Sequence, residues 1–141
     1  MEADRPDVIG FVLDASTALV WFLPDEVSVI ADRSLRLLNN TAAIVPDLFW
    51  HEMRNVLLTS YRRKRISLPE VSTSMARLEQ LDIATAHTAD NAVIITLAER
   101  HALTAYDAAY LALALDRQLP LATLDRKLAE AAVREGVALL R

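Results

Sequence analysis

The run from Val8 to Leu13, Val-Ile-Gly-Phe-Val-Leu, passes straight into Asp14 and constrains the fold more than any other stretch of the chain. A short, unbroken apolar run rich in Val and Ile reads as a strand covered on both faces, and such strands belong to parallel sheets sheathed by helices. The rest of the chain repeats this alternation. Helices are predicted over Ala15–Leu23 and Val27–Leu38, closed by the turn pair Asn39-Asn40, with a strand over Ala42–Val45. Pro46-Asp47 opens a longer helix to about Lys64, and Pro69-Glu70 begins another that runs to about Leu81. A strand over Asp82–Thr85, helices over Thr88–Arg100 and Ala105–Arg117, and a strand over Leu121–Leu124 follow. A helix over Asp125–Glu135, stopped by Gly136 in a left-handed conformation, and a last strand over Val137–Leu140 complete the series. Strands separated by helices require crossover connections, so the predicted class is α/β, one three-layer α/β/α domain around a parallel sheet. At 141 residues and 53% hydrophobic content, residues 1–141 suffice for one such domain.

Several function classes are excluded by what is missing. The two glycines, Gly10 and Gly136, lie at opposite ends of the chain, so neither a G-x-G-x-x-G nor a P-loop phosphate cradle can be written. Zero cysteines rule out disulfides and thiolate metal sites, which fits a reducing compartment, with the cytoplasm as the expectation. The longest apolar stretch, Val8–Leu23, is interrupted by Asp14, closed by Pro24, and shorter than the ~20 residues of a spanning helix, so no membrane anchor is expected. The opening Met-Glu-Ala-Asp-Arg-Pro-Asp is net acidic, unlike a secretory leader. A formal charge of −4 is not that of a protein held on nucleic acid by bulk charge.

Functional groups in an open parallel sheet gather beyond the carboxyl ends of its strands. Asp14 ends the first strand, Asp125 ends Leu-Ala-Thr-Leu, Asp107 lies in the first turn of its helix, and Glu52 shares the helical row Leu48, Glu52, Val56 that faces inward. Each has an ordinary structural reading. Asp125 fits an N-cap, Thr104-x-x-Asp107 fits a capping box, Asp14 could cap the helix begun by Ala15, and Glu52 could pair with an arginine. Taken together, converging carboxylates repel by several kcal/mol unless protons or cations neutralise them. Hard divalent ions with oxygen ligands, Mg2+ or Mn2+, suit such a set. Ser16 and Thr123, each two residues from an Asp at a strand end, are placed to hold the carboxylates or to cap helices.

Four blocks carry a family resemblance: Val-Leu-Asp14-Ala-Ser16; Pro46-Asp-Leu-Phe-Trp-His-Glu52 with Asn55; Leu103-Thr-Ala-Tyr-Asp107-Ala-Ala-Tyr110-Leu-Ala-Leu-Ala; and Pro120-Leu-Ala-Thr-Leu-Asp125-Arg-Lys-Leu. In order and spacing they resemble the PIN domain, and within it the VapC-type toxins of bacterial toxin–antitoxin pairs. The resemblance implies a PIN-like fold and a metal-dependent endoribonuclease, with Asp14, Glu52, Asp107 and Asp125 holding one or two Mg2+ or Mn2+ ions. It also implies a structured RNA substrate such as tRNA or rRNA, a homodimer, and a small antitoxin protein that folds over the active groove. Thr123 stands where the family commonly has a small hydroxyl residue. Within this set Asp14 and Asp125 are expected as direct ligands, Asp107 as a third, and Glu52 as ligand of a second ion or base for the attacking water.

Other features weigh less. Arg62-Arg63-Lys64-Arg65 is expected to be a solvated, dipole-serving helix end more than an RNA contact. Without the four acids the formal charge of −4 becomes 0, so RNA affinity should be modest and salt-sensitive. His51, His87 and His101 lack zinc or triad spacing. Trp21, Phe22, Phe49, Trp50, Tyr106 and Tyr110 are expected in core or dimer contacts. A mean hydropathy of +0.22 points to apolar surface that a partner would cover. Two rivals remain: a non-catalytic PIN-like protein-binding module, and an Asp-based phosphoryl-transfer domain. The second is opposed by Asp14-Ala15-Ser16, which lacks the Asp-x-Asp of one such class, and by the want of a well-placed late Lys for another.

Overall fold

A computed structural model describes residues 8–87 and 90–141. The elements are β1 (Ile9–Leu13), α1 (Ala15–Val20), α2 (Val29–Leu37), β2 (Ala42–Pro46), α3 (Leu48–Arg62), α4 (Leu68–Gln80), β3 (Ile83–Ala86), α5 (Asn91–His101), α6 (Ala105–Arg117), β4 (Leu121–Ala122) and α7 (Arg126–Arg134). The strands form one sheet in the order β3-β2-β1-β4, and every pairing is parallel. With helices flanking that sheet, the expected three-layer α/β/α class is the one observed. β1 is central, and Phe11, Val12 and Leu13 are wholly inaccessible, as a strand covered on both faces requires. The core continues through β2, α3, α6 and α7, where Phe49, Met53, Leu57, Tyr110, Leu111 and Leu128 are fully buried. Burying each such Leu, Met or Phe stabilises the fold by about 1.5–3 kcal/mol.

Element ends differ from the expectations for local reasons. α1 stops at Val20, and Trp21, Phe22 and Leu23 bond back to Ala18, Leu19 and Val20 in a tighter turn, because Pro24 disfavours helical backbone at the residue before it. α2 begins after Ser28, whose hydroxyl accepts from the Ala31 N–H at 3.2 Å. α4 begins at Leu68 rather than Pro69, because Ser67 and Glu70 form a reciprocal capping box. Pro46 closes β2 instead of opening α3. Gly136 does stop the last helix, at φ 77°.

Two strand expectations are corrected. β4 spans Leu121–Ala122 instead of reaching Leu124, because the next N–H groups bond to side-chain hydroxyls rather than to a neighbouring strand. Val137–Leu140 forms no strand. It makes an isolated parallel bridge at Leu139 to Leu121, with Leu121 N–H to Ala138 O and Leu140 N–H to Leu121 O at 2.9 Å each. The acidic opening segment, Met1 to Asp7, and the expected helix start at Thr88 lie outside the described residues. From Asn91 onward that helix is α5, capped by Asp90.

The chain runs from β1 outward through β2 to β3, then returns to place β4 on the other side of β1. This reversal is a topological switch point, where loops at the carboxyl ends diverge and leave a crevice. Asp14 follows β1 and Thr123-Leu124-Asp125 follow β4, on its two sides.

Candidate active site

Asp14 occupies the N-cap position of α1, yet its side chain makes no capping bond, so helix capping does not account for it. Its Oδ2 instead accepts the Ser16 hydroxyl at 2.6 Å and the Thr123 hydroxyl at 2.7 Å. Both hydroxyls in turn accept backbone protons from the turn after β4: Leu124 N–H to Ser16 Oγ and Asp125 N–H to Thr123 Oγ1, each at 3.0 Å. Because those N–H groups can only donate, the two hydroxyl protons are directed at Asp14. Thr17, also buried, donates to Ala122 O at 3.0 Å and ties the same two elements together. The carboxylate is 4% exposed, and burial pushes its pKa up against the opposing pull of the two hydroxyls.

Glu52 lies at the margin of the buried stripe of α3, which runs through Phe49, Met53, Leu57 and Ser60 rather than through Leu48 and Val56. It is therefore half-buried, and burial is the main cause raising its pKa, with the charges of Asp14 and Asp107 adding to the shift. Its partner is not an arginine. The Tyr110 hydroxyl donates to Glu52 Oε1 at 2.6 Å. Asp107 follows the Thr104 cap, which accepts the Asp107 N–H at 3.0 Å; the reciprocal side-chain bond of a capping box is not made. Its pKa is raised by burial first and then by Asp125 and Asp14, and is drawn back in part by Thr104 and Lys127. Asp125 does cap α7, with Oδ1 accepting the Leu128 N–H at 3.0 Å.

The four acids thus come from four places in the chain, and Asp14, Glu52 and Asp107 each feel the charge of at least one of the others. Among the described residues none of them is in a salt bridge. Nor do three acidic or histidine side chains close into a ready-made cation cage there. An all-oxygen donor set whose negative charge no paired base offsets fits Mg2+ or Mn2+, ions that keep several waters and need only a few carboxylates. Asp14, Asp107 and Asp125 are the candidates to hold such an ion, with Glu52 beside them.

A cleft of about 470 Å³ between α5 and α6 lies elsewhere. Its lining includes the apolar Leu48, Ile94 and Leu113 and the acidic Asp47, Asp90 and Asp116, and none of the four acids. Arg65 pairs with Asp25 and Glu26, whereas Arg62, Arg63 and Lys64 are exposed as a solvated helix end. His101 binds Glu135 at 2.6 Å, and His51 sits beside Asp47 and Arg54 on the surface. Phe49 and Tyr110 are core residues as expected, while Tyr106 is 64% exposed. The sequence expectation for Tyr110 is packing alone and misses its bond to Glu52. The signal for that bond is a phenol amid the Ala and Leu of a buried helix face, since a buried tyrosine hydroxyl needs a partner.

Residues 11–134 match the family model described as the PIN domain, and the chain belongs to that family. Ribonuclease VapC3 of Pyrobaculum aerophilum is 34% identical over 122 residues, spanning 84% of this chain and 92% of that protein. The VapC-type resemblance carried by the four sequence blocks is thereby borne out. The crystal structure of PAE2754 from the same organism matches with TM-score 0.70 at 20% identity, covering 87% of this chain and 84% of that one. That of VapC20 from Mycobacterium tuberculosis, described as a sarcin-ricin loop cleaving toxin, matches with TM-score 0.60 at 11% identity, covering 86% and 95%. At these identities the two structural likenesses speak for the fold.

Proposed function

We propose that this protein is a Mg2+- or Mn2+-dependent endoribonuclease toxin of the VapC type, with residues 1–141 acting as one PIN-like unit in the cytoplasm. Its substrate is a structured cellular RNA such as tRNA or rRNA, and a small antitoxin protein inhibits it. One observation carries the reading: the acid after β1 and those of α3 and α6 have their pKa values raised by burial and by charges within the set, Asp125 of the β4–α7 turn among them, while the side-chain hydrogen bonds to Asp14 and Glu52 come from neutral hydroxyls. The ribonuclease name of the 34%-identical relative supports the reaction class, and the description of VapC20 supports a folded RNA target.

When bound, the divalent ion supplies an acidified water and charge neutralisation for the phosphate under attack. Asp14, held by Ser16 and Thr123, keeps a fixed direction and gives the crevice its most buried charge. Asp125 and Asp107 present carboxylate oxygens from the first turns of α7 and α6. Glu52 adds a fourth carboxylate to the ion's surroundings and, with a raised pKa, is suited to orient the attacking water and to take its proton. Exposed apolar side chains on both halves of the chain, Val27 at 90% and Ile95 at 65% among them, support a homodimer and an antitoxin-covered surface.

The test is incubation of the purified chain with total cellular RNA and Mn2+, followed by mapping of new 5′ ends. Discrete cuts, lost in EDTA and in a folded Asp14→Asn variant, are expected. A well-folded preparation that binds a partner protein but never cuts RNA would establish the non-catalytic module instead.

A further inference from the structure

Tyr110 is among the largest fully buried side chains, and its ring is fixed in the core while its hydroxyl reaches across to α3. It lies three residues after Asp107 on α6, so one helix carries both an acid of the crevice and the donor that holds another acid. We propose that Tyr110 is a positioning residue that tethers Glu52 to α6 and thereby sets where the α3 carboxylate stands relative to Asp107 and Asp14. This role rests on the nuclease reading above and deepens it.

Three features of the contact favour positioning over packing alone. At 2.6 Å the bond is short, as expected for a hydroxyl donating to a carboxylate. It engages Oε1 only. Oε2 accepts no hydrogen bond among the described residues and is not sealed from solvent, so it stays free to take a further partner. The donor is also neutral. An arginine in this place would hold the carboxylate equally well but cancel the charge that a cation must find; a phenol fixes direction and leaves the charge intact. Ser16 and Thr123 treat Asp14 in the same way.

Tyr110→Phe keeps the ring and removes the tether. Calorimetric Mn2+ titration is expected to show affinity reduced roughly tenfold or more, the usual cost of losing a partner that orients a ligand. In RNA cleavage kcat should fall while KM stays unchanged. In a Glu52→Gln background, Tyr110→Phe should have no further effect on Mn2+ binding, because no carboxylate remains to be positioned. If Tyr110→Phe lowers the thermal midpoint in chelator, pairing it with Glu52→Leu should recover part of the loss by removing the orphaned carboxylate. Three results would each overturn the tether: Mn2+ affinity of Tyr110→Phe equal to wild type, an equal loss whether Tyr110→Phe is made alone or on top of Glu52→Gln, or no recovery in the paired variant. Wild-type protein that binds no Mn2+ overturns the functional reading itself, which separates the two failures.

Discussion

Two groups of acids in this molecule are treated in opposite ways. At the crevice, Asp14, Glu52 and Asp107 are held by hydroxyls or left open, and burial and mutual repulsion push their pKa values up. At the far ends of α5 and α7, Glu135 accepts His101 at 2.6 Å and Arg100 at 2.7 Å, and these partners pull its pKa down. Asp25 is likewise lowered by the Arg65 guanidinium bonded to it. The residue types are the same, yet the distant acids are bonded to cations the chain supplies, whereas the crevice acids form no ion pair among the described residues, as the proposed divalent ion would require. Stability alone accounts for the distant pairs; the crevice costs stability, and function accounts for it.

The largest difference between the two groups is expected from Asp14→Asn. Cleavage should fall by roughly a thousandfold or more, since the loss of a metal carboxylate removes several kcal/mol of transition-state stabilisation. Glu135→Gln should leave cleavage unchanged, as read by initial rates on the same RNA. If the two variants affected turnover alike, the division between the groups would be void.

Stability should run the other way. In chelator, Asp14→Asn is expected to raise the thermal midpoint by about 3 °C, because an uncompensated buried charge is removed while both hydroxyls keep a partner. Glu135→Gln should destabilise by about 1 kcal/mol through its weakened bonds to His101 and Arg100. Mn2+ should stabilise the wild type and leave the midpoint of Asp14→Asn almost unmoved.

The two groups should also separate by pH. A carboxyl whose folded pKa is raised binds its proton more readily when folded, so its stability penalty is present at neutral pH and disappears as pH falls toward the unfolded value near ~4. The advantage of Asp14→Asn over wild type should therefore shrink as pH falls from neutral toward that unfolded value. Glu135 has a lowered pKa, so its contribution is present above the unfolded value and is lost as pH falls through the folded one. The deficit of Glu135→Gln should close only at the acid end. Midpoints for the three proteins across pH in chelator check both signs. The smallest effect is expected at Asp25→Asn, an exposed side chain whose loss should barely move the midpoint.

Much of this is legible in the chain because it is written locally. α6 matches its expected span, Ala105–Arg117, since its cap at Thr104 and its apolar face lie within the segment itself. The strand that ends in Asp14 announces itself by composition. β4 falls short of its expected span because hydroxyls take the place of a strand ladder, one of them on Ser16, 108 positions before the Leu124 it binds. Val137–Leu140 has strand composition but pairs only at Leu139, where the sheet edge runs out. The four acids can be named from motif and position, but the partner of Glu52 cannot, because Tyr110 lies 58 residues away and meets it only after α3 and α6 pack.

The central claim is that the crevice is an open seat for a divalent ion. Anomalous diffraction from crystals of the wild-type protein grown with Mn2+ tests it most directly. The account predicts an anomalous peak bounded by Asp14, Asp107 and Asp125, absent in Asp14→Asn crystals. A featureless crevice at saturating Mn2+, or a peak that persists in Asp14→Asn, would contradict it.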